Sequence, residues 1–89
     1  MTTPTDDLSK MPNIGSTLKE KLMLIGINSA VSLKMAGAEN AFIKLKTVDK
    51  DACINMLYAL EGAIQGIRWH DLPATRKAEL KEFFRLTDS

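Results

Sequence analysis

The stretch from Asp51 to Pro73, DACINMLYALEGAIQGIRWHDLP, limits what this chain can fold into more than any other. Cys53, Leu57, Leu60, Ile64 and Ile67 recur at steps of three and four residues, which lines them along one side of a helix. Met56, Ala59 and Ala63 widen that side and leave Asn55, Tyr58, Glu61 and Gln65 as a narrower polar face. So wide an apolar surface suits a central helix contacted from several directions, not one lying at an edge. Gly62 and Gly66 sit one turn apart. Each costs roughly 1 kcal/mol of helix propensity relative to alanine, a cost usually accepted where another backbone must come close. The helix is expected to end near Arg68, with Pro73 in the first turn of the helix that follows.

Eighty-nine residues make one domain. A chain of this size buries roughly 60–65% of its unfolded surface, enough to fold alone with a modest margin. A hydrophobic share of 45% is too high for a disordered segment. The net charge of +1 bears on function, because nucleic-acid binders draw much of their affinity from a basic excess that neutralises phosphates. Any such contact here must therefore come from a local patch. The single cysteine excludes an internal disulfide and a cysteine-based zinc site. MTTPTDDLSK has no apolar signal core and no run approaches 18 apolar residues, so a reduced, cytoplasmic protein without membrane contact is expected.

In chain order, residues 1–7 read as a flexible tail and residues 8–87 as the helical domain. A short helix over Asp6 to Lys10 leads into the turn Met11-Pro12-Asn13-Ile14-Gly15, where Asn13 tolerates a left-handed conformation and Gly15 permits a positive φ. Ser16 or Thr17 is a candidate cap for a second helix with Leu18, Leu22 and Ile25 on its apolar stripe. Gly26 ends it in a left-handed cap, with Ile27 placed for the accompanying apolar contact. Asn28 or Ser29 opens a third helix holding Val31, Leu33 and Met35, closed by Gly37, and a fourth buries Ala41, Phe42 and Leu45. Thr47 and Asp49 are capping candidates in the polar connection that follows, and the final helix turns Leu80, Phe83 and Phe84 inward. No strand-period run survives. The expectation is all-α: a small single domain of five to six helices around a buried central one.

A short helix, Pro-Asn-Ile-Gly and a second helix ending in Gly-Ile resemble a helix-hairpin-helix, of the kind found in SAM-like folds. The glycines of that motif let backbone N–H groups point outward at a helix N-terminus, where they favour an anion such as a nucleic-acid phosphate. Candidate nucleic-acid contacts are accordingly Lys10, Pro12, Asn13, Ile14, Gly15, Ser16, Lys19 and Lys21. Two departures weaken the likeness. Asn13 replaces the first glycine of the motif, and Lys19 stands where a small residue is preferred. Leu22 to Asn28 followed by Ser32-Leu33 reads as the start of a second, degenerate copy.

Taken together, Met11 to Gly15, Leu22 to Ile27 and the run from Asn55 to Pro73 resemble the C-terminal domain of the TfoX family, bacterial regulators of DNA-transformation competence. The run Tyr58 to Pro73 is the specific part, since a buried helix alone does not call for Trp-His-Asp-Leu-Pro after it. The likeness covers the chain from about Leu8. It implies a non-enzymatic domain with a helix-hairpin-helix-like fold, concerned with transcriptional control of competence; full-length members carry a separate N-terminal domain as well.

Individual residues admit plainer readings. Cys53, His70 and Asp71 are raw material for a nucleophile or metal site, but Cys53 lies on the apolar stripe and His70 has no second histidine. No catalytic residue, metal site, cofactor or small-molecule substrate is expected. Trp69 is expected to plug the seam between the central and final helices, with Asp71 capping the latter. Glu61 is expected to be solvated or paired with Arg68. Tyr58, Gln65 and Arg68 form a candidate partner-binding face, and Lys77, Lys81 and Arg85 a basic stripe. Two functions follow: a module touching the DNA backbone through the Pro12–Gly15 turn, or one docking a regulatory protein with no nucleic-acid contact.

Overall fold

Leu57 and Leu60 are wholly shut off from solvent in the computed structural model, which describes residues 6–87. They belong to a helix, α4, spanning Ile54–Gln65. Before it come α1 (Asp6–Lys10), α2 (Ser16–Leu24) and α3 (Ala30–Leu45). After it come a 3₁₀ turn at Trp69–Asp71 and α5 (Ala74–Thr87). No strand occurs among the described residues. Residues 1–5 of the expected tail lie outside them, and α1 begins at Asp6 as its sequence suggests.

The all-helical reading holds, and α4 is its hub, packed against α3, α5 and the 3₁₀ turn. Burying each leucine of α4 contributes about 1.5–3 kcal/mol, so the apolar stripe fixes the arrangement without help from charge. Leu8, Leu22, Leu33, Phe42, Leu45 and Leu80 join it in one core drawn from all five helices. A radius of gyration of 12.3 Å is close to the roughly 12 Å expected for a single domain of this length.

Two helices end by the same device. Gly26 (φ 86°) and Gly66 (φ 77°) both take the left-handed conformation. In each case the following isoleucine donates its N–H back into the helix, Ile27 to the Leu22 carbonyl and Ile67 to the Gly62 carbonyl, both at 2.9 Å. Gly66 is therefore a cap, not a site of close approach, and α4 stops at Gln65 rather than near Arg68. Close approach occurs at Gly62 alone of the pair. A methyl group there would stand 2.8 Å from the Ile67 carbonyl oxygen and 3.1 Å from the Trp69 Cα.

Several local expectations change. Gly15, extended at φ −90°, is itself the N-cap of α2, and neither Ser16 nor Thr17 caps it. Other expectations hold. Ser29 caps α3 through a reciprocal pair with Ser32. Gly37 (φ 82°, ψ 159°) leaves the helical conformation, so α3 consists of the two expected helical segments meeting at a kink there. Leu33 is buried, but Val31 and Met35 face solvent, Met35 with 83% of its surface exposed. Cys53 is exposed at the start of α4, because the helix begins one residue after it and the apolar stripe does not reach that far. Glu61, placed by periodicity on the polar face, is buried at 8% exposure. Its side of α4 lies under α5, whose docking no pattern inside α4 could reveal.

Candidate functional site

The turn between α1 and α2 faces inward. Asn13 takes the left-handed conformation (φ 71°), as expected for an asparagine at this turn. Its side-chain amide donates to the Ile67 carbonyl at 2.9 Å and to the Ala59 carbonyl at 3.4 Å. Its carbonyl oxygen accepts the Trp69 N–H at 3.2 Å. One side chain thus pairs backbone groups of Ile67 and Trp69, beyond the end of α4, and adds a longer bond to a carbonyl inside the helix. Gly62 makes the room, since a Cβ there would lie 2.5 Å from the Asn13 amide nitrogen. The turn is stapled to α4 and the 3₁₀ segment.

Of the residues proposed around this turn, Ile14 is buried in the core and Pro12 is half-buried. Lys21 donates to Asp49 at 2.6 Å, and that hydrogen bond holds the Asp49 carboxyl below its ordinary 3.8 against an opposing effect of burial. Gly15, Ser16 and Lys10 are exposed and Lys19 is half-buried. These four, with the half-buried Pro12, keep surface in the open. The inward role of Asn13 could not be read from the sequence, because its partners lie 46 to 56 residues away.

Tyr58, Gln65 and Arg68 do not share one open face. Tyr58 is half-buried and stacks on Trp69 at 5.8 Å between ring centres, while the Gln65 amide donates to Glu61. Gln65 and Arg68 are both exposed, and Arg68 is the cation of the three. Glu61 pairs with Arg76 of α5 at 3.0 Å, not with Arg68, and Arg76 also reaches Glu39 of α3 at 3.0 Å and Glu79 at 3.2 Å. Burial pushes the Glu61 carboxyl up, but hydrogen bonds from Arg76 and Gln65, with the Arg76 charge, outweigh it and leave the group below its ordinary value. The two glutamates raise the Arg76 guanidinium above its usual range. This triangle ties α3, α4 and α5 together, and no local pattern in the sequence marks it.

Trp69 occupies the seam between α4 and α5, as expected. Its ring stacks with Tyr58 and with His70, the latter at 3.9 Å between centres. Lys77 of α5 sits over the same ring at 5.9 Å and donates to the His70 carbonyl at 3.2 Å. Asp71 is exposed in the 3₁₀ turn. Cys53 stands at the start of α4, whereas Trp69, which His70 and Asp71 follow, packs beside Gly62 further along that helix. Among the described residues no three His, Cys, Asp or Glu side chains are grouped to hold a metal, and no helix is long and apolar enough to cross a membrane.

Comparison with known proteins agrees with this architecture. The family model described as the TfoX C-terminal domain matches residues 4–84. The chain is 33% identical over 76 residues to Protein Sxy of Escherichia coli strain K12, covering 85% of the chain. It spans 36% of the length of that relative. A crystal structure of an uncharacterized protein from Listeria monocytogenes, in a triclinic form, superimposes with a TM-score of 0.92 at 44% identity, covering 93% of this chain and 94% of that one. A tetragonal form of a Listeria monocytogenes protein of unknown function gives a TM-score of 0.86 at 47% identity, covering 89% of this chain and 98% of that one.

Proposed function

The chain belongs to the TfoX C-terminal domain family, and on that premise we propose that it is a non-enzymatic regulatory module. It serves the transcriptional control of competence for DNA transformation by docking another protein. The observation that carries the docking mode is the inward-facing Asn13. The turn that would offer its amides to a phosphate is instead closed onto α4 by three hydrogen bonds. Lys21 is neutralised by Asp49, which removes one of the cations that would support a backbone contact.

The alternative, contact with the DNA backbone, draws its support from Lys10, Gly15, Ser16 and Lys19, which flank the uncapped start of α2. A mobility-shift titration separates the two. Phosphate-mediated binding falls by orders of magnitude between about 50 and 200 mM salt. No shift of duplex DNA at the lower salt is expected. A salt-sensitive shift that Lys10→Glu, Lys19→Glu abolishes would contradict the docking reading. Deleting the chain from a competent strain should lower transformation frequency; an unchanged frequency contradicts the competence role.

A further inference from the structure

The near-zero net charge conceals an uneven distribution. Among the described residues the carboxylates of Glu39, Asp49, Glu61, Glu79 and Glu82 pair with Lys21, Arg76 and Arg85. Arg76 alone takes three of them. The cations left without a carboxylate are therefore more exposed in effect than the composition suggests. Arg68, Lys77 and Lys81 are such cations: Arg68 immediately precedes the 3₁₀ turn, Lys77 reaches that turn from α5, and Lys81 follows Lys77 by one helical turn.

Lys77 is held there in an unusual way. Its ammonium is fixed by the Trp69 ring and the His70 carbonyl, so its position is set while its charge stays uncompensated. Lys81 lies one turn further along the same face of α5, with the exposed Ala74 and Ala78 beside the pair. Arg68 precedes Trp69, whose N–H is bound by Asn13, so the segment carrying Arg68 is anchored as well. The nearby acids in sequence are Asp71, Glu79 and Glu82, of which Glu79 is paired with Arg76 and Glu82 with Arg85.

We propose that this face, Arg68, His70, Lys77 and Lys81 around the edge of Trp69, docks an acidic helical segment of a protein partner. The small residues of α5 let a second helix lie close, and the flanking cations meet carboxylates at its rim. A nucleic-acid strand fits less well. The Trp69 ring already stacks with Tyr58 and His70 and carries the Lys77 ammonium, so three side chains compete with any base that would stack on it. The inference rests on the protein-docking reading above and adds to it the surface and the charge of the partner.

The test is a titration of the isotope-labelled full chain, followed by NMR, with a synthetic amphipathic helical peptide bearing glutamates on its polar face. The same peptide with glutamine at those positions and a duplex oligonucleotide serve as the other two probes. The glutamate peptide should shift the Trp69 indole signal and the amides of residues 68–81, while the glutamine peptide should not. Arg68→Glu, Lys81→Glu, both at exposed positions, should weaken binding about tenfold or more, and Lys34→Glu, Lys44→Glu on α3 should leave it within about twofold. Shifts spread evenly over all lysines, or equal loss from both pairs of substitutions, would overturn the proposal. Peptide shifts confined to the α2–α3 surface would overturn this site and leave the docking reading intact. Saturable, salt-sensitive shifts of residues 68–81 by the oligonucleotide would overturn both.

Discussion

Helices α4 and α5 are of similar length and pack against each other, yet they are held by different forces. In α4, Leu57, Ala59, Leu60, Glu61, Gly62 and Ala63 are all buried, whereas α5 buries Leu80 alone over fourteen residues. What fastens α5 besides Leu80 is partly aromatic, with Phe84 against Phe42 at 5.8 Å, and partly ionic, through Arg76. The contrast divides the labour of the molecule. Apolar burial, which is non-directional, makes α4 the organiser of the core. Directional contacts fix α5 by a few atoms and leave most of its surface free to carry charge.

The contrast can be broken first at Gly62. Gly62→Ala gains roughly 1 kcal/mol of helix propensity, and at an ordinary helix position that would be the whole effect. Here the new methyl meets backbone at 2.8 and 3.1 Å, so either the turn or the 3₁₀ segment must move. A net loss of about 3 kcal/mol is expected in urea denaturation. A stabilised variant would mean that α4 is not closely approached there.

The ionic attachment of α5 gives the next largest effect. Arg76→Ala leaves Glu61 nearly buried beside Glu39 without a counter-charge, and a loss of about 2 kcal/mol is expected, below the 3–5 kcal/mol of a fully buried pair because Arg76 is partly solvated. The pH dependence sharpens this. The folded-state value of Glu61 is lowered, so its contribution is fully present above its ordinary 4.5 and is lost as the pH falls through the folded value. Acidification below 4.5 should therefore destabilise the parent chain more than Glu61→Gln, measured as the shift of the urea midpoint. Identical acid profiles would remove Glu61 from the account.

What could be read in advance follows the same division. The buried stripe of α4 and the Gly-Ile helix ending at Gly26 depend on residues within one or two turns of each other, and periodicity or local turn chemistry reveals them. The same ending at Gly66 is hidden by apolar spacing that runs on to Ile67. The Glu61–Arg76–Glu39 triangle and the bonds of Asn13 join residues 15 to 56 positions apart, and no local rule distinguishes these side chains from solvated ones. Val31 and Met35 failed for a related reason. Their apolar character marks a core face only if another element covers it, and none does. The candidate surface residues suffered most, since Asn13 and Glu61 are polar groups that the fold turns inward.

The account depends most on the inward closure of the Met11–Gly15 turn, and Asn13→Gly tests it directly. Glycine adopts the left-handed conformation at least as readily, so a turn needing only that φ should keep or gain stability. Loss of the hydrogen bonds to Ile67, Ala59 and Trp69 should instead lower the unfolding free energy by about 2 kcal/mol, with the melting midpoint falling by roughly 10 °C. A midpoint equal to or above that of the parent chain would contradict the staple, and with it the argument that the turn is closed to a phosphate.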